Sequence, residues 1–197
     1  MPAKPIPPAV LEAARHATAV EPELLNSERI EARFGSYGID LIEDREGLRL
    51  ASLYSSNNGN KVCRTFAAVC VNGEHRELLP ELEAIGGGRS IGATFRRNGW
   101  AVAKRTLYTG TATLAALREE VAAAMRLAPP ESLALHVYQL VLDKNGRRID
   151  YATILELHHP QYIDAAELAA LFPEGAADST INRDAVRELL TLFELNP

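Results

Sequence analysis

The segment LALHVYQLVLDKNGRRIDYATILELH, residues 133–158, decides the fold. Two runs rich in apolar and β-branched residues flank a polar turn at residues 143–146. The Asn-Gly pair inside this turn favours the positive φ angles of a tight turn between antiparallel strands. The segment therefore predicts a β-hairpin with strands at residues 133–142 and 148–158.

Four more segments have strand composition. They lie at residues 39–42, 48–55, 61–71 and 101–108. The sequence Asn-Asn-Gly-Asn at residues 57–60 separates the second segment from the third and predicts another hairpin. We therefore expect a mainly antiparallel sheet.

Helical spacing of apolar residues appears on both sides of the strands. The sequence predicts helices at residues 8–20, 27–34, 76–85, 111–127, 165–172 and 182–193. Asn26 and Ser27 offer an N-cap for the second helix, and Ser90 caps a further turn that contains Phe95. The predicted fold class is α+β, with a mainly antiparallel sheet, flanking helices and extra C-terminal helices.

Composition excludes several classes of protein. The 197 residues carry a net charge of −5, which argues against a nucleic-acid partner. No apolar run approaches the roughly 18 to 20 residues that cross a membrane, and no secretory signal is present. Cys63 and Cys70 lie an odd number of positions apart in one strand, which predicts opposite faces and no disulfide. We therefore expect a cytoplasmic protein with no membrane partner, while its oligomeric state stays open.

The common catalytic and metal-binding motifs are absent from the sequence. His158 and His159 suggest a metal pair, but adjacent residues of a strand point in opposite directions. We therefore predict no metal site and no cofactor.

Arg64 stands in the apolar strand 61–71, and Glu156 stands in the apolar strand 148–158. A buried guanidinium needs an anionic partner, because its desolvation alone costs several kcal/mol. Either Arg64 and Glu156 form a structural ion pair, or a ligand carboxylate meets Arg64.

The glycine-rich segment at residues 86–92, GGGRSIG, has two interpretations. Glycines allow backbone amides, such as those of Ile91 and Gly92, to approach an anion closely, and Arg89 would add positive charge. The same composition also suits a flexible connection.

These residues resemble the chorismate lyase superfamily, which includes the effector-binding domains of GntR-type transcription regulators. The resemblance covers about residues 27–162. Cys63-Arg64-Thr65 resembles the strand with the substrate-carboxylate arginine, and the segment 88–92 resembles the loop whose central amide binds a carboxylate. Glu156, four residues before Pro160, is similar to the catalytic glutamate of the last strand.

The resemblance implies a chorismate lyase-like domain at residues 27–163. Residues 1–26 would form an N-terminal arm with a short helix, and residues 164–197 a helical extension. The implied enzyme converts chorismate to 4-hydroxybenzoate and pyruvate without a cofactor.

In that enzyme Arg64 and the Ile91 amide would hold a carboxylate, and Glu156 would act as an acid with a raised pKa. The alternative is a non-catalytic sensor module that binds a small carboxylate and carries no DNA-binding domain. Glu28 departs from the family pattern, because an acidic group there would repel a dicarboxylate.

Overall fold

A computed structural model describes residues 24–45, 47–113, 119–127 and 132–172, together with residues 189 and 191. The predicted helix at residues 8–20 lies outside this part of the chain. The predicted helix at 182–193 also lies outside it, apart from residues 189 and 191, which are helical.

The described strands form a single six-stranded sheet in the order β1-β2-β3-β6-β5-β4. They are β1 (Gly38–Arg45), β2 (Leu48–Asn57), β3 (Asn60–Val71), β4 (Ala101–Thr113), β5 (Ser132–Lys144) and β6 (Arg147–His158). Every neighbouring pair is antiparallel. The predicted α+β class and antiparallel sheet are therefore confirmed.

Both predicted hairpin turns are present as two-residue turns. Asn58 and Gly59 connect β2 to β3 with φ angles of 51° and 79°, and Asn145 and Gly146 connect β5 to β6 with φ angles of 55° and 77°. Positive φ at both positions is the geometry whose twist matches that of the paired strands.

The described helices are α1 (Asn26–Phe34), α2 (Leu79–Gly86), α3 (Ile91–Arg97), α4 (Glu119–Met125) and α5 (Ala165–Leu171). Ser90 caps α3 as predicted, because its side chain accepts a hydrogen bond from the Ala93 amide. Asn26 does not cap α1, which already begins at this residue. None of the helices in the described ranges is long and apolar enough to cross a membrane.

The helix predicted at residues 111–127 is partly wrong. Residues 111–113 continue β4, because they pair with residues 132–134 of β5. The helix α4 begins only at Glu119, and residues 114–118 lie outside the described part of the chain. Two β-branched threonines, Thr111 and Thr113, favour the strand at this position.

The sheet has a helix layer on each face. Val121 and Met125 of α4 pack with Phe66 and Leu155 on one face, which we call the α4 face. Helices α1, α2, α3 and α5 pack on the opposite face, which we call the α1 face. Because helices cover both faces of the sheet, its central strands are apolar along nearly their whole length.

Four strands contain one extra residue, a β-bulge, relative to a neighbouring strand. The extra residues are Ile42 in β1, Arg64 in β3, Leu107 in β4 and Tyr151 in β6. Each bulge shifts the alternation of side chains between the two faces.

The bulge at Arg64 corrects one prediction. Cys63 and Cys70 both contact the core cluster of the α4 face, although their separation in sequence predicts opposite faces. No disulfide joins them.

Candidate functional site

A cavity of 80 Å³ lies on the α1 face, between the sheet and the first residues of α1 and α3. One water needs roughly 10 to 15 Å³ on the same measure, so the cavity has room for a small molecule. Its apolar walls include Ala51, Leu53, Val69, Leu140 and Ile154. Arg49, Lys104, Glu156 and Tyr138 also line it, which places charged groups inside a mainly apolar space.

Arg49 enters the cavity from β2 and is only 5% exposed. Its guanidinium donates to the backbone carbonyls of Ile85, at 2.6 Å, and Arg89, at 3.2 Å. Burial lowers the pKa of Arg49, although an arginine remains charged at neutral pH. Asp44 lies opposite Arg49 in the β1-β2 register, but it is exposed, and no ion pair joins the two within the described residues.

Lys104 of β4 and Glu156 of β6 form a buried ion pair in the cavity. The Lys104 Nζ lies 3.6 Å from the Glu156 Oε2, and the two side chains are 6% and 5% exposed. The Lys104 ammonium also lies 4.4 Å from the centre of the Tyr138 ring. The cation that pairs with Glu156 is therefore Lys104, and not Arg64 as one interpretation of the sequence had it.

The other carboxylate oxygen of Glu156 accepts two hydrogen bonds. The donors are the Asn26 side-chain amide and the Tyr138 hydroxyl, each at 3.1 Å. Burial alone would raise the pKa of Glu156, but the Lys104 ammonium, His158, His136 and the Asn26 hydrogen bond lower it to about 2. The predicted rise of this pKa is therefore wrong, and Glu156 is ionised at neutral pH.

Two histidines complete the polar cluster on the α1 face. His136 lies directly opposite Glu156 in the β5-β6 register, and the His158 Nε2 is 3.8 Å from the Glu156 Oε2. Burial lowers the pKa of His136 well below 6.5, and the Lys104 ammonium lowers it further. Burial also lowers the pKa of His158 to about 4, against the opposing effect of Glu156. Both imidazoles are therefore neutral near pH 7.

Ile91 and Gly92, the first two residues of α3, line the cavity as the glycine-rich segment suggested. A Cβ atom on Gly92 would lie 2.6 Å from a methyl group of Leu25, so a larger residue here would require the Leu25 side chain to move. The amides at the start of a helix have no acceptor within that helix.

Arg64 is not among the residues that line the cavity. Its Nε donates to the Ser55 hydroxyl at 2.8 Å, and one of its terminal nitrogens donates to the Gln161 side chain at 3.3 Å. Its guanidinium also stacks on Phe34, 3.8 Å from the ring centre. The expected meeting of Arg64 with Glu156 is wrong, because Ala67 is the β3 residue opposite Glu156, and Lys104 is its ion-pair partner.

Two more predicted positions lie apart from the cavity lining. The Arg89 side chain is exposed, and only its backbone carbonyl contributes, by accepting from Arg49. The Glu28 carboxylate binds Arg96 at 2.9 Å and the Leu25 amide at 2.7 Å, so its charge is engaged at the start of α1.

Sequence reasoning missed Arg49, Lys104 and His136. Arg49 carries the signal that singled out Arg64, a charged residue among apolar or small ones, whereas Lys104 adjoins Arg105 and His136 shares its strand with Gln139. Arg49 stands between Leu48 and Leu50. Alternate residues of a strand point to the same face of the sheet, so Arg49 points toward the cavity together with Ala51 and Leu53.

In comparisons with known proteins, no family model matches the chain, and no curated protein matches it in sequence. The function is therefore inferred from the cavity and the residues around it.

Proposed function

We propose that the protein binds a small organic carboxylate in this cavity and that Arg49 anchors it. The observation that carries the proposal is the state of Arg49: it is buried in the cavity wall, and its described hydrogen bonds go to backbone carbonyls. A buried cation is stabilised strongly by an anionic partner.

The charges of the cavity support one anionic group. Arg49 and Lys104 supply two positive charges, and Glu156 supplies one negative charge. Because Lys104 and Glu156 compensate each other, one positive charge remains at Arg49. The planar guanidinium fork suits a carboxylate, which it can bind through two parallel hydrogen bonds.

The apolar walls support an acid with a hydrocarbon body. Ligand sites in proteins are mostly apolar and use a few polar groups to orient the ligand. Here the carboxylate would face Arg49 and the start of α3, and the body of the ligand would contact Leu53, Val69 and Ile154. A non-catalytic binding module fits these features, and a chorismate lyase-like fold is the framework we propose for it.

Binding is tested by titrating the full-length protein with benzoate, 4-hydroxybenzoate, pyruvate and succinate, followed by calorimetry and thermal shift. We expect at least one acid to bind and its neutral amide to fail. Arg49→Gln should weaken binding by about 10- to 100-fold, because it removes a charge-assisted hydrogen bond worth about 1.5–3 kcal/mol.

Arg64→Gln is the matched control, because Arg64 is a second buried arginine that does not line the cavity. It should leave the affinity unchanged. If Arg64→Gln abolishes binding and Arg49→Gln retains it, Arg64 and not Arg49 anchors the ligand. If none of the acids binds, the proposal is refuted.

The lyase reaction implied by the resemblance has its own test. We expect no pyruvate from chorismate above the spontaneous rate at pH 7, measured with a lactate dehydrogenase couple. A Glu156 carboxyl with a pKa of about 2 carries no proton to donate to the leaving ether oxygen. Release that depends on both Arg49 and Glu156 would instead identify an enzyme.

A further inference from the structure

We propose that His136, Glu156 and His158 form a binding site for a divalent transition-metal ion. Each residue offers one ligand atom, and these atoms lie within 4.8 Å of one another. The three residues are 0%, 4% and 2% exposed, so the cluster is buried. Two imidazoles and one carboxylate form a ligand set that proteins use for zinc and for non-haem iron.

Two atoms of this cluster have unmet hydrogen-bonding capacity. The His136 Nδ1 and the Glu156 Oε2 are buried, and neither has a hydrogen-bond partner. Such atoms are rare in native proteins, and a bound ion is one explanation for them. A metal ion would coordinate both atoms at once.

The remaining polar atoms of the cluster are held by neighbouring side chains. The Thr106 hydroxyl lies 3.0 Å from the His136 Nε2, and the Thr65 hydroxyl lies 3.0 Å from the His158 Nδ1. These contacts hold one nitrogen of each ring, while the His158 Nε2 lies 3.8 Å from the Glu156 Oε2 and the His136 Nδ1 stays without a hydrogen-bond partner. Metal-binding histidines typically have such a partner on the second ring nitrogen.

The geometry requires only small movements to close around an ion. Metal bonds of about 2.0–2.2 Å to nitrogen or oxygen separate neighbouring ligand atoms by roughly 3–4 Å. The side chains must therefore approach one another by about 1 Å.

Lys104 is the group that competes with the ion. Its ammonium lies 3.6 Å from the Glu156 Oε2, which is longer than the roughly 2.7–2.9 Å of a tight charged hydrogen bond. A metal would replace the ammonium beside this oxygen. Lys104 and Glu156 both line the cavity, so the ion has a path to the cluster from there.

The experiment uses the full-length protein, stripped with a chelator and titrated with Co²⁺, Zn²⁺ or Mg²⁺. We expect one Co²⁺ per chain with visible d–d absorption bands, displacement of Co²⁺ by Zn²⁺, and no binding of Mg²⁺, which avoids imidazole ligands. His136→Gln and His158→Gln should abolish the bands. Thr65→Val and Thr106→Val, which preserve side-chain shape, should weaken Co²⁺ binding by about 10- to 100-fold.

Three further variants make the test specific. Lys104→Met should strengthen Co²⁺ binding, because it removes the competing ammonium. His159→Gln is the matched control, since His159 adjoins the cluster in sequence but does not belong to it, and it should leave binding unchanged. Arg49→Gln should also leave Co²⁺ binding unchanged, which separates this site from carboxylate binding. Co²⁺ binding that survives His136→Gln, or no stoichiometric binding at all, would overturn the proposal.

Discussion

Glu156→Gln should lower the free energy of unfolding by about 3–5 kcal/mol. The substitution leaves the Lys104 ammonium buried without its carboxylate, and removing one partner of a buried ion pair has this cost. Urea unfolding at pH 7 in the presence of a chelator measures the change without a contribution from bound metal. Lys104→Met combined with Glu156→Gln should recover much of the loss, because the double variant removes both charges of the buried pair.

Arg64 supplies the control for this prediction. Within the described residues, its partners are Ser55, Gln161 and Phe34, so Arg64→Met and Glu156→Gln should have additive effects. Coupling of Glu156 to Arg64 but not to Lys104 would contradict the observed pairing.

Acidification from pH 7 to pH 4 should reduce stability steeply. The causes are His136, His158 and His159, because burial lowers the pKa of each imidazole. The pKa falls from 6.5 to about 4 for His158 and His159, and well below 6.5 for His136. Between pH 6.5 and pH 4 the unfolded chain binds protons at these histidines while the folded chain does not, so stability falls as the pH falls. Below pH 4.5 Glu156 acts in the same direction, because its pKa is lowered from 4.5 to about 2.

Each histidine contributes about 1.4 kcal/mol per pH unit within this window, so the combined slope can reach roughly 4 kcal/mol per unit. Urea unfolding at half-unit steps from pH 7.5 to pH 4.5 measures the slope. His158→Gln and His159→Gln should each reduce this slope of stability against pH by about the contribution of one titrating histidine. Equal stability at pH 7 and pH 5 would show that the histidines titrate normally in the folded protein.

The sheet was largely predictable because its signals are local. Asn58-Gly59 and Asn145-Gly146 are turn residues whose backbone preferences determine the hairpins. Ser90 likewise identified the start of α3, because N-capping depends on residues three positions apart.

The arrangement of the site was less predictable because it depends on contacts across strands. Nothing in the sequence near Arg64 indicates the register of β3 against β6, which places Ala67 and not Arg64 opposite Glu156. The choice between Lys104 and Arg64 as the partner of Glu156 depends on register: β3 lies directly beside β6, but Ala67 is opposite Glu156, while Lys104 of β4 reaches Glu156 across β5. Glu156, Ile91 and Gly92 line one cavity, and their roles in binding or catalysis stay predictions.

The extra residues at Arg64 and Tyr151 also affect how this chain aligns with related proteins. A homologue without one of these bulges would require a one-residue gap in the middle of β3 or β6, since the turns at both ends could stay the same length. An alignment that allows gaps only in loops would then shift Cys63 or Asp150 by one position and assign it to the wrong face of the sheet. Structure-based superposition, with gaps permitted inside these two strands, is therefore the appropriate way to align the cavity residues.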